Sequence, residues 1–269
     1  TPLKWNIDAN ISFNRNRIGG LKADQFAQKL WSSADEVFIQ RNGCPIGAIY
    51  GYVEDGFYDN LAEVMASPSA DIRAKGAGMI GEIKYRNFDD NPDITSADRV
   101  IIGDTNPDFV YGLTSNFEWK GVTLSFFLQG SQGNDIFNGN LMDMKMGNVG
   151  NITHEAYNTR WTEANAAQAK WPKAVSGYER NMLISNRYVE DGSYLKLKSL
   201  NIGYVWKPNF KGISNVNVYA SATNLFTITG YSWFDPEVNA FGSDASRRGV
   251  DVYSYPSSRT FSLGIKVDF

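Results

Sequence analysis

The sequence predicts an all-β chain, a run of antiparallel strands from a transmembrane barrel with long loops on one side. Three observations predict it. Six segments alternate apolar and polar residues at every second position, the signature of a two-faced strand. Each is about 9 to 13 residues long, close to the roughly 9 to 11 that a tilted strand needs to cross a bilayer. The connections between them are alternately long and short.

The first strand sets Trp5, Ile7, Ala9, Ile11 and Phe13 against Asn6, Asp8, Asn10, Ser12 and Asn14. The second sets Phe109, Tyr111, Leu113, Phe117 and Trp119 against Asp108, Thr114, Asn116 and Glu118. A two-residue turn at Lys120 and Gly121 leads to the third, where Val122, Leu124, Phe126 and Leu128 oppose Thr123, Ser125 and Gln129, with Phe127 out of phase; the pair reads as a hairpin. The fourth runs from Tyr194 to Trp206. Its halves alternate in opposite phase, which a bulge near Ser199 reconciles. The fifth lies in the longest uncharged stretch, Gly212 to Phe234, where Val216, Val218, Ala220 and Ala222 recur with period two and so exclude a membrane helix. The sixth alternates Phe261, Leu263, Ile265, Val267 and Phe269 with Thr260, Ser262, Gly264, Lys266 and Asp268.

Connections two and four are about two and eight residues, whereas the other three are roughly 92, 62 and 31. All long loops therefore emerge on one side, which transmembrane barrels show and a soluble sandwich has no reason to show. Lipid would meet Trp5, Ile7, Ile11, Phe13, Phe109, Leu113, Phe117, Leu124, Phe126, Ile202, Val216 and Val218. Six strands are too few to close a barrel, so the chain is expected to complete one begun by another segment. The start, Thr1-Pro2-Leu3-Lys4-Trp5, has no secretory leader pattern. The net charge of −3 gives no footprint for nucleic acid. One cysteine, Cys44, and one histidine, His154, exclude an intrachain disulfide and enzymes that need two histidines.

Several strings resemble the C-terminal region of the SusC/RagA family of TonB-dependent outer-membrane transporters. They are Asn106-Pro107-Asp108-Phe109-Val110-Tyr111-Gly112-Leu113, Trp119-Lys120-Gly121, Phe127 to Ile136, Val189-Glu190-Asp191-Gly192-Ser193-Tyr194-Leu195-Lys196-Leu197-Lys198, Thr223 to Tyr231, Asp235-Pro236-Glu237-Val238, and the ending with Tyr255-Pro256 and Arg259 to Gly264. They follow the family's order and cover essentially the whole chain. The resemblance implies that residues 1–269 are the last strands of a roughly 22-stranded plugged barrel, with the plug and earlier strands absent from this chain. It also implies an outer-membrane location, a SusD-like surface lipoprotein as partner, energy from the TonB complex through the missing N-terminal part, and a terminal aromatic, Phe269, like that of other outer-membrane barrels.

Three features could carry chemistry. Asp89, Asn91, Asp93 and Asp98 offer oxygens at intervals suited to Ca2+, but Ile94 stands where a calcium loop needs Gly and no closing Glu follows, so a solvated acidic turn is the leading expectation. Trp161, Trp171, Tyr178, Tyr231, Trp233 and Phe234 lie in the long loops, where aromatic faces could stack on substrate or could anchor the loops. His154 sits between Thr153 and Glu155 with no recognisable nucleophile, so no enzyme is expected. The expected function is import of oligosaccharides or peptides. The alternative is a soluble carbohydrate-binding or adhesive β-sandwich.

Overall fold

The computed structural model describes residues 2–30, 35–146, 151–175, 180–209 and 212–269. Six strands form one antiparallel meander: β1 (Lys4–Ser12), β2 (Phe109–Trp119), β3 (Val122–Gln132), β4 (Tyr194–Trp206), β5 (Asn215–Thr229) and β6 (Thr260–Asp268). They are the six segments expected from alternation. β5 extends well past Ala222, because Thr223 to Thr229 continue the pairing with β4 in a shifted phase.

The register sorts the faces. Directly paired residues share a face, and one row across all six strands reads Trp5, Phe117, Leu124, Ile202, Ala220, Leu263. The next row reads Asn6, Asn116, Ser125, Asn201, Ser221, Ser262. One face is thus apolar and the other mainly polar, although Val110, Phe127 and Tyr219 lie on the polar face through their pairing with Ser12, Thr114 and Gly203. The phase change in β4 is absorbed between Leu197 and Ser199, where the pairing to both neighbours shifts. Asn224, opposite that shift, takes φ 51°, a conformation that Asn tolerates better than most residues. The turn between β2 and β3 has Lys120 at φ 49° and Gly121 at φ 88°. Two successive positive φ values make the type I′ geometry that matches strand twist.

On the apolar face Leu263, Phe261, Ile265, Trp5 and Ile7 are all at least half exposed. A face this wide cannot stay in water without associating. In a sandwich a second sheet would cover it; the remaining sheets of this chain instead build cores of their own. Trp119, Tyr204 and Trp206 mark the short-turn end of that face, and Phe13, Phe109 and Tyr111 mark the other, with ring centroids 5.8 and 5.9 Å apart. Phe109 and Trp119 are ten steps apart on β2, about 26 Å along the barrel axis at a tilt near 40°, which matches the apolar band of an outer-membrane barrel. Gly130 gives room for one of these rings, since a Cβ there would lie 2.2 Å from Tyr111.

The long connections are not irregular loops. They carry a four-stranded sheet (Gln25–Lys29, Glu36–Gln40, Ala48–Gly51, Val100–Asp104), a three-stranded one (Asp135–Asn138, Val189–Asp191, Val250–Asp251) and short helices such as Leu61–Ala66 and Ala70–Lys75. Side chains from all three connections meet in one core: Val37, Phe38 and Ile49 from the first, Phe137, Met142 and Tyr188 from the second, Val250 from the third. The chain's main hydrophobic core therefore lies in its loop body, while the sheet leaves its apolar face for lipid.

Candidate functional site at the sheet's long-loop end

The polar face near this end is organised by the start of β4. Tyr194 pairs with Ser131 and Thr229, and Lys196, on the same face, pairs with Gln129 and Thr227. β5 leaves the sheet after Thr229 and is pinned at once: the Tyr231 hydroxyl donates to Asp251 Oδ2 at 2.7 Å, and Ser232 donates through its amide (2.8 Å) and hydroxyl (2.9 Å) to Glu190. The chain then returns to β4. Lys196 Nζ, on a side chain 1% exposed, donates to both Asp235 oxygens at 2.9 and 3.0 Å and to Glu237. Lys198, at the bulge, donates to both Glu237 oxygens at 2.8 Å, and the Tyr194 hydroxyl adds a bond of 3.2 Å.

Burial would raise the pKa of the Asp235 carboxyl, but hydrogen bonds from Ser257, Lys196 and the Glu237 amide outweigh it and hold it below the ordinary value. Glu237 is likewise held down against burial by Lys196 and Lys198. Depressed carboxyls stabilise the ionised contact above the usual carboxylate range, and that contribution is lost only as pH falls through the lowered values. Two of the quoted strings, one ending Leu195-Lys196-Leu197-Lys198 and the other Asp235-Pro236-Glu237-Val238, are thus the two halves of one ion-paired cluster. Sequence alone gave no sign of this pairing.

The loop aromatics separate by environment. Trp161 is buried against Tyr52, Phe57, Ile83 and Tyr85, with Nε1 donating to Asp59 at 3.0 Å. Trp171 is buried in the main core, with the Arg187 guanidinium 5.2 Å from its ring. Tyr231 is buried on Asp251, and that burial and hydrogen bond push its hydroxyl pKa well up. Trp233 is half-buried and Phe234 is 65% exposed; their ring centroids lie 5.2 Å apart. Tyr178 lies outside the described residues.

The acidic segment turns several of its oxygens onto its own backbone. Asp89 Oδ1 accepts from the Asn91 amide at 2.8 Å, Asn91 Oδ1 from the Asp93 amide at 3.0 Å, and Asp93 takes the Ser69 hydroxyl. Asp98, fully buried, accepts from the Thr95 and Phe88 amides at 2.8 and 2.7 Å and completes a capping box. Among the described residues no three Asp, Glu, His or Cys side chains gather as a metal site. His154 Nδ1 lies 3.1 Å from Asn158 on an exposed helix.

A wide, two-faced antiparallel sheet with a folded loop body at one end is the architecture of a segment of a long-looped outer-membrane β-barrel. No protein-family model matches the chain. It is 34% identical over 281 aligned positions to TonB-dependent receptor P3 of Formosa agariphila, a match covering 98% of this chain and 27% of that protein. To TonB-dependent receptor SusC of Bacteroides thetaiotaomicron it is 26% identical, covering 98% and 24%. Its fold superposes on a structure of the RagAB peptide importer in the open-open state with a TM-score of 0.69 at 21% identity, covering 98% of this chain and 27% of that one. The chain therefore spans about a quarter of the length of these relatives. It is a SusC/RagA-like TonB-dependent receptor segment of the outer membrane.

Proposed function

We propose that this chain supplies the C-terminal strands and the outer loop body of an energy-coupled outer-membrane importer of oligosaccharides or peptides. The remainder of the barrel pairs with the two free sheet edges, β1 and β6, because unpaired edges are untenable in hydrocarbon. A plug fills the lumen against the polar face, the TonB complex acts on the missing N-terminal part, and a SusD-like lipoprotein covers the loop body. The observation that best supports this reading is the pairing of a lipid-suited face with a loop body whose main core draws on all three long connections. The test is growth of a strain lacking the complete protein. Growth is expected to fail on an oligosaccharide or on a peptide mixture as sole nutrient while remaining normal on the corresponding monomers, and which of the two fails assigns the substrate. Normal growth on both would overturn the proposal.

A further inference from the structure

The path of the chain after β5 brings a loop back over the polar face of the sheet. Thr229, the last residue of β5, pairs with Tyr194, and Lys196 lies further into the sheet on the same polar face. Asp235 and Glu237, only a few residues beyond the exit from β5, are back at Lys196. The segment therefore turns inward along the lumen wall before continuing into the loop body. Two sets of anchors hold it: Tyr231 and Ser232 on Asp251 and Glu190 at one end, and Asp235 and Glu237 on Lys196 and Lys198 at the other. Between them stand Trp233 and Phe234, in ring contact and reaching solvent.

The chemistry of the anchor at β4 says what it is for. A buried ion pair is weak evidence of stability, because apolar residues of similar size usually fill the same space as well or better; what it fixes is position. Lys196 is as buried as a core residue, yet it ends on two carboxylates from one short segment. Aromatic side chains on a backbone already held at both ends lose little freedom on meeting a ligand.

We infer that Lys196, with Asp235 and Glu237, is a latch that keeps the segment from Tyr231 to Glu237 folded into the lumen mouth, so that Trp233 and Phe234 contact the imported molecule as it enters. Lys196 is then a positioning residue for uptake, acting through the aromatic pair. The inference rests on the import reading above and adds to it the place where substrate is first held inside the barrel.

The test uses the complete transporter in native outer membranes, as wild type and as Lys196→Met, Lys196→Arg, Phe234→Ala and the Lys196→Met/Phe234→Ala double variant. Two probes are supplied, fluorescein-labelled casein-hydrolysate peptides and fluorescein-labelled dextran oligosaccharides. Lys196→Met should raise the KM for uptake about tenfold with Vmax per assembled transporter unchanged. Phe234→Ala should do the same, the double variant should be no worse than either single one, and Lys196→Arg should recover most of the affinity. Chymotrypsin cleavage after Trp233 or Phe234 in the membrane, which needs no substrate, should accelerate at least tenfold in Lys196→Met. Additive KM effects, or an unchanged cleavage rate, would overturn the latch. Failure of wild type to take up either probe would count against the import reading, and the cleavage rates would still decide the latch.

Discussion

Replacing Leu113 by Arg in the complete protein should destabilise the folded barrel by about 2–4 kcal/mol, the cost of a basic side chain on the lipid face near the bilayer midplane. The same substitution at the next residue, Thr114, should cost far less. Both positions lie at the middle of β2, between aromatic residues that mark the two ends of the apolar band. They differ in face: Leu113 pairs with Ala9 and Leu128 among apolar side chains, whereas Thr114 pairs with Asp8 on the polar side. Urea-dependent folding into lipid vesicles measures the difference. Equal costs at the two positions would show that the faces are assigned in the wrong register.

Arg187→Met should loosen the loop body by about 3–5 kcal/mol, as removal of one partner from a buried ion pair does. The Arg187 and Glu54 side chains are 12% and 8% exposed. Arg187 Nε donates to Glu54 at 2.9 Å, a second nitrogen completes a bidentate contact, and a third donates to the Lys170 carbonyl, with the guanidinium over Trp171 and Phe57. Without it the Glu54 carboxylate keeps the neutral Ser185 hydroxyl at 2.7 Å. Hydrogen exchange should show lost protection at the Tyr52 and Asn186 amides, which tie the two connections together. Adding Glu54→Gln should return much of that protection, because the stranded charge is then gone. Unchanged exchange in Arg187→Met would refute this role.

The six long strands were legible because a strand between lipid and water must alternate at every step, and each such strand is long enough for the pattern to show. The bulge near Ser199 was legible for the same reason, as a change of phase between Leu197 and Leu200. The loop body was not. Its strands are two to five residues long, and Ala48–Gly51 is buried on both faces, so no period is written into it. Its six-residue helices are too short to show a helical period, although Asn60 and Ser69 cap them as expected of such residues. Asp89 and Asn91 alternate like calcium ligands because each accepts from the amide two residues ahead, a local geometry that mimics a cation loop, while Asp93 takes the Ser69 hydroxyl. The contact of Lys196 with Asp235 and Glu237 was invisible for another reason: about forty residues separate the partners, and only the pairing of β4 with β5 brings them together.

Cysteine labelling of whole cells reads the orientation of the membrane-spanning sheet, whose loop body is expected outside. In the complete protein with Cys44 and any further cysteine replaced by Ser, a single cysteine is placed either at Tyr157, exposed in the loop body, or at Lys120, in the two-residue turn between β2 and β3. A membrane-impermeant maleimide should label the Tyr157→Cys protein in intact cells and the Lys120→Cys protein only after the outer membrane is permeabilised. Labelling of Lys120→Cys in intact cells, with Tyr157→Cys protected, would contradict the account.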